Sequence, residues 1–249
     1  MSAVLETRDL CKRFGALTVA DNINFRLEAG AKHALIGPNG AGKTTFVNLL
    51  TGLLAPSSGT VMLGGQDVTL LPQSGRVKRG LGRTFQINTL FREMSVLDNV
   101  ALGIAERLGL SGKLWRPAGH YAAVREEAMS LLDSLAIADQ AARRVSDLPY
   151  GQQRLVEIAI ALGLKPTVLL LDEPAAGVPS LETERILNAL DSLPKTIAIL
   201  IIEHDMDLVF RFADRITVLV QGEVLCEGAP QEIANDARVQ SVYLGERRA

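Results

Sequence analysis

Near the N-terminus, apolar and polar positions alternate. "AVLETRDL" (3–10) and "INFRLEAG" (23–30) read as half-buried strands, and "KHALI" (32–36) is a short apolar strand running straight into "GPNGAGKTT". The period then lengthens to that of a helix from Lys43 to about Thr51, closed by Gly52. "VMLGG" (61–65) and "GLGRTFQ" (80–86) are further short strands. From about Leu90 to Leu162 helical spacing dominates, in "SVLDNVALGIAERL", "YAAVREEAMSLLDSL" and "SDLPYGQQRLVEIAIAL". Buried-strand patterns return with "TVLLLDEP" (167–174), "TIAILII" (196–202), "ITVLVQG" and "EVLCEG", with helices expected near 180–193 and 205–213. Strands alternating with helices imply a parallel sheet with helices on its faces. The expectation is one α/β unit spanning 1–249, with 1–87 and 163–249 as the core lobe and 88–162 as an inserted helical lobe.

Composition supports a well-cored globular unit, since 47% of the 249 residues are hydrophobic. A net charge of −2 argues against a nucleic-acid surface, which needs basic excess. The apolar run "IAILII" (197–202) is far shorter than the ~18 residues that span a bilayer. The start carries no secretory pattern, so the chain is expected to stay in the cytosol. Cys11 and Cys226 have no metal-type spacing, and neither a disulfide nor a catalytic thiol is expected.

The most specific chemistry is Gly37-Pro38-Asn39-Gly40-Ala41-Gly42-Lys43-Thr44, followed by Thr45. It fits G-x-x-x-x-G-K-[ST] between a predicted strand and a predicted helix. Glycines let such a loop wrap an anion, its N–H groups cradle phosphates, Lys43 reaches the β/γ-phosphates and Thr44 offers a hydroxyl to Mg²⁺. "VLLLDEP" then delivers Asp172 at the end of an apolar strand, where a carboxylate can hold the Mg²⁺ shell, and Glu173 one residue further out, where it can orient or deprotonate water. Read alone, the acidic pair is equally an ordinary turn before Pro174. His204, in "IIEHDM", ends a similar strand, and Gln86 follows "GLGRTF"; by themselves both suit structural roles as well. At 149–152, Pro149, Tyr150, Gly151 and Gln152 open an amphipathic helix whose N–H groups can face an anion, with Pro149 expected at the first helical position.

In this order, with "LLLDEP" 21 residues beyond Gly151 and His204 31 residues beyond Glu173, the motifs resemble the ABC-transporter ATPase family across essentially the whole chain. The resemblance implies a P-loop NTPase core with a parallel sheet, an N-terminal antiparallel β part and an inserted helical subdomain. It implies ATP and Mg²⁺, with Gln86 as the Q-loop residue joining the metal and water site, His204 as the switch histidine and Phe14 stacking on adenine. It also implies a head-to-tail pair, with Pro149–Gln152 of one subunit closing over ATP on the other. Two departures stand out: Pro149 replaces the usual signature serine, and Pro179 stands where Asp is frequent.

"YGQQRLVEIA", "DEPAAG", "IIEHDM" and "VYLGE" together resemble the ATPases of importers for branched-chain and related amino acids. The implied partners are transmembrane permease subunits, a second ATPase (identical or a paralogue) and, indirectly, an extracytoplasmic solute-binding protein, with the chain peripheral on the cytoplasmic face of the inner membrane. Leu90, Phe91 and Met94 either form a groove for a permease helix or pack inside the helical lobe. The alternative function is the ATPase of a lipid or lipopolysaccharide exporter. A soluble ABC ATPase of translation or repair fits less well, since the chain has one P-loop and no heptad run.

Overall fold

The alternation at the N-terminus builds a longer hairpin than the pattern indicates. In a computed structural model describing residues 3–84, 90–110 and 122–246, β1 (Ala3–Phe14) and β2 (Leu17–Glu28) pair antiparallel out to Phe14 and Leu17. The apolar–polar alternation breaks earlier because Asp9 and Asn22 adopt left-handed φ angles of 48° and 49° beside register shifts, as at β-bulges. β4 (Ser58–Leu63) pairs with β1, and β5 (Gln66–Asp67) with β4, completing an antiparallel sheet of order β2-β1-β4-β5.

A second sheet has the order β10-β9-β3-β8-β7-β6, using β3 (Lys32–Ile36), β6 (Leu81–Arg83), β7 (Val168–Asp172), β8 (Ala198–Ile202), β9 (Arg215–Val220) and β10 (Glu223–Gly228). β9, β3, β8 and β7 run parallel, and every residue of β7 and β8 is buried, which is why both read as unbroken apolar runs. The register aligns Leu35 and Asp172 with Ile202, so the ends of β3, β8 and β7 reach one edge together. At such an edge an α/β sheet presents its ligands.

Apart from β6, these strands belong to a unit formed by Met1–Leu81, Thr167–Glu173 and Lys195–Ala249. Its core gathers Leu5, Phe25, Phe46, Leu50, Leu170 and Leu200. Two buried polar devices lock it. His33 Nε2 lies 2.7 Å from Thr217 Oγ1, whose hydroxyl donates to Glu227 Oε2 at 2.9 Å, while the Phe25 ring meets the imidazole edge-on at 4.9 Å. Because the threonine proton is committed to Glu227, Nε2 is the donor of a neutral imidazole, and burial pushes its pKa down to about 4. Arg76, on α2 (Gln73–Val77), is fully buried and donates to Leu49 O and Leu50 O at 2.6 and 2.7 Å and to Thr69 O and Leu71 O at 2.9 and 3.1 Å. Its charge thereby sits on carbonyls in the last turn of α1 (Lys43–Thr51), where a helix dipole favours a cation. α7 (Met206–Phe212), α8 (Pro230–Asn235) and α9 (Ala237–Glu246) complete this unit. The last two were not foreseen, being short and weakly periodic.

The other unit, Gly82–Pro166 with Pro174–Pro194, contains α3 (Val96–Arg107), α4 (Ala122–Ser134), α5 (Tyr150–Gly163) and α6 (Ser180–Asp191). Ser95 caps α3 by accepting from Asp98 N–H at 3.1 Å. The sequence division into 1–87 with 163–249 and 88–162 differs here, since α6 groups with the helices. Its apolar face, Ile186, Leu187, Ala189 and Leu190, is buried, but chain order alone does not say against which neighbour.

Candidate active site

β3 ends at Ile36 and the chain turns into the Gly-rich loop. A Cβ on Gly37 (φ +154°) would lie 2.1 Å from Leu219 O, so only glycine lets the loop press against β9. Gly42 is the N-cap of α1 at φ +100°, with no side-chain cap and no acidic residue in the first turn. Helix N–H groups and the positive dipole end therefore face the loop. Lys43 Nζ donates to Gly37 O at 2.5 Å and Pro38 O at 3.0 Å, holding the ammonium over the same loop. This is a cradle for a polyphosphate, built by backbone and one fixed cation.

The neighbouring strand ends supply the acids. Asp172, only 3% exposed, closes β7. Glu173 N–H donates to Ile202 O at 2.9 Å, and the residue adopts φ +48°. A side chain other than glycine in that region costs about 1 kcal/mol or more, the kind of strain that functional positions retain. His204 Nδ1 stands 3.7 Å from Glu173 Oε1 and 3.8 Å from Oε2 of buried Glu203, too long for hydrogen bonds. Glu203 received no role from the sequence. Its signal was an acid directly after the apolar strand and immediately before the histidine.

Among the described residues no group of three or more His, Cys, Asp or Glu is placed to hold a metal ion. Thr44 and Asp172 offer hard oxygen donors, which fits a Mg²⁺ shared with phosphate oxygens rather than caged by protein. Gln86 lies outside the described residues. Phe14 is 52% exposed at the hairpin tip, with Lys12 Nζ 4.9 Å from its ring centroid. Of the three residues considered for a permease groove, Leu90 is buried and Met94 half-buried, while Phe91 is 58% exposed. The Phe91 backbone is clamped by the buried Asn99 side chain through bonds of 2.9 and 3.0 Å.

In the helical unit, Pro149 is the N-cap of α5 and Tyr150 the first helical residue, which corrects the placement of Pro149 one position further in. The cause is its ψ of 151°, an extended value that suits a cap. Tyr150 is fixed by Arg154, which donates to its hydroxyl at 2.6 Å, lies over its ring and pairs with Glu157 at 2.7 Å. Burial pushes the Glu157 carboxyl up, with Arg154 opposing. Gly151 N–H donates to Glu182 Oε2 at 3.0 Å, a contact the sequence did not suggest. Gln152 Oε1 is buried without a hydrogen-bond partner.

The loop, the acids that end β7 and the start of α5 all fall within residues 20–176, which match the family model described as ABC transporter. The chain belongs to the ABC transporter family. The last residues of the cassette, 223–249, match a second model, described as branched-chain amino acid ATP-binding cassette transporter. The cassette is 40% identical over 250 residues to the high-affinity branched-chain amino acid transport ATP-binding protein LivG of Escherichia coli, covering 98% of each chain. It superposes on an ATP-binding cassette of an ABC transporter in its ADP conformation with a TM-score of 0.87 at 32% identity, covering 98% of this chain and 100% of that one. A dimeric bacterial ABC transporter cassette gives a TM-score of 0.76 at 25% identity, covering 91% and 98%. The P-loop α/β fold read from the sequence, with its antiparallel sheet and helical part, agrees with these structures.

Proposed function

We propose that this cassette binds and hydrolyses ATP to drive an importer of branched-chain or related amino acids. The observation that carries the reading is the P-loop between β3 and α1 on the same sheet edge as Asp172, Glu173 and His204, in a chain matched nearly end to end by LivG. The C-terminal match to a branched-chain cassette model favours this over a lipid exporter.

In this reading Phe14 stacks on adenine, and the backbone of Gly37, Pro38, Asn39, Gly40, Ala41, Gly42, Thr44 and Thr45 cradles the phosphates. Lys43 gives up its loop carbonyls to bind the β/γ-phosphates. Thr44, Asp172 and Gln86 hold Mg²⁺, which when bound neutralises charge on the phosphate oxygens. Glu173 orients the attacking water and takes its proton as the water oxygen bonds to the γ-phosphorus and the bond to the β–γ bridging oxygen breaks, leaving ADP and phosphate. His204 holds the Glu173 carboxylate and the γ-phosphate in line. Pro149, Tyr150, Gly151 and Gln152 present the α5 N-terminus to ATP bound on a second cassette, identical or paralogous.

The remaining partners are transmembrane permease subunits and, through them, an extracytoplasmic solute-binding protein. No helix among the described residues is long and apolar enough to cross a membrane. Attachment to the cytoplasmic face then runs through the permease. Affinity isolation from detergent-solubilised membranes tests this. Permease subunits and a second cassette should come down together, and ATP turnover should rise when the loaded solute-binding protein is added. Isolation with lipid-export subunits, or with no membrane protein, would overturn the importer reading.

A further inference from the structure

The Glu182 carboxylate occupies the donor that the signature segment is proposed to offer ATP. Gly151 is the second residue of α5, so the helix itself provides no acceptor for its N–H. Glu182 Oε2 accepts that N–H at 3.0 Å. A Cβ on Gly151 would lie 2.3 Å from this oxygen and 2.8 Å from Glu182 Cβ. Gly151 has no positive φ, unlike the loop glycines, so glycine is required here for the room it leaves an anion rather than for backbone freedom.

A second helix of the chain explains why Glu182 is available. In α8, Glu232 is the third helical residue and accepts from the N–H of its own N-cap, Ala229, at 2.8 Å. Glu182 holds the same third position in α6, but the N-cap there is Pro179, which has no N–H. The carboxylate is therefore released from its ordinary local partner and turns to Gly151. Pro179, a departure from the family pattern, thus acquires a physical role.

On the reading that the signature segment binds ATP of a second cassette, we infer that Glu182 is a latch, an internal anion that a γ-phosphate must displace before two cassettes close. A carboxylate left beside that donor repels the incoming phosphate, so closure requires Glu182 to leave the α5 N-terminus. Glu182 is then a positioning residue that sets the ATP demand of closure, and its removal should make closure easier. Structural damage would do the opposite.

The test uses the full chain in a Glu173→Gln background, with sedimentation recording dimer formation against ATP concentration. Glu182→Gln keeps the size of the side chain but removes its charge. Exchanging a charge-assisted hydrogen bond for a neutral one should lower the ATP concentration for half-dimerisation by roughly 5- to 10-fold. Glu182→Ala should lower it at least as far, with Gly151 amide exchange accelerated in the monomer. An unchanged or raised ATP requirement in both variants overturns the latch. Gly151→Asp separates the two ideas. If it abolishes dimerisation while the Glu182 variants behave as the parent, only the latch fails. If Gly151→Asp dimerises normally, or no ATP-driven dimer forms in the parent, the signature reading fails and the latch with it.

Discussion

The Gly-rich loop and the segment that opens α5, the two segments proposed to meet phosphate, differ in how they are held. The P-loop hangs between a central parallel strand and α1, with Gly37 against β9, the Lys43 ammonium on loop carbonyls and Arg76 on the last turn of the helix. The segment 149–152 opens helix α5, and its buried donor at Gly151 is held by a side chain, Glu182. A loop built into a sheet is preorganised for its anion. A helix end satisfied by a carboxylate is poised for exchange. On the proposed roles, the difference divides the labour, with tight binding in one place and conditional closure in the other.

The sharpest way to break this comparison is Lys43→Ala. The variant loses the fixed cation of the preformed site, worth two charge-assisted contacts of about 1.5–3 kcal/mol each, so ATP affinity should fall by roughly 10²- to 10⁴-fold. Calorimetry showing unchanged affinity would remove the phosphate role from the loop. Next in size, Glu173→Gln should leave nucleotide bound while steady-state turnover drops by roughly 10²-fold or more, because the amide cannot accept the water proton. Near-normal turnover would move the base role elsewhere, with His204 the next residue to test.

The rigidity of the P-loop frame has a pH signature. His33 has a folded pKa of about 4 against an ordinary 6.5, so between those values the unfolded chain binds a proton that the folded one does not. Stability is then fully present above about pH 6.5 and falls as pH drops toward 4, by on the order of 3 kcal/mol. Denaturant titrations across this range should show that slope, and His33→Gln should flatten it. Glu227 and Arg215 also face the imidazole and are kept in place in the variant. In the helical unit Glu157 has the opposite sign, its raised pKa favouring the fold as pH falls through the carboxylate range. An equal slope in His33→Gln would assign acid sensitivity to other groups.

The smallest effect is expected at Pro149. As an N-cap, a serine in its place would accept from the N–H of Gly151 or Gln152, stabilising the helix by roughly 1 kcal/mol while competing for the donors proposed to face phosphate. Pro149→Ser should therefore change ATP turnover only a few-fold. An increase approaching 100-fold in steady-state assays would mean that the native segment is an impaired clamp, and the contrast between the two regions would be one of quality rather than of kind.

Local sequence determined the elements whose causes are local. The β3 run, the glycines and lysine after it, and the apolar strands ending in Asp172 and before His204 all dictate their conformation through neighbours in the chain. From these the fold was legible, and so were the loop and the strand-end acids that are proposed to form the phosphate site. Tertiary structure decided what depends on residues distant in sequence. The strand register that aligns Leu35, Asp172 and Ile202 comes from sheet pairing. The buried Arg76 answers carbonyls from other segments. The pairing of Gly151 with Glu182 spans 31 positions and arises because Pro179 denies that carboxylate a local donor. A hydrogen bond of that kind leaves no periodicity, since it follows from a donor removed in one helix and a donor left over in another.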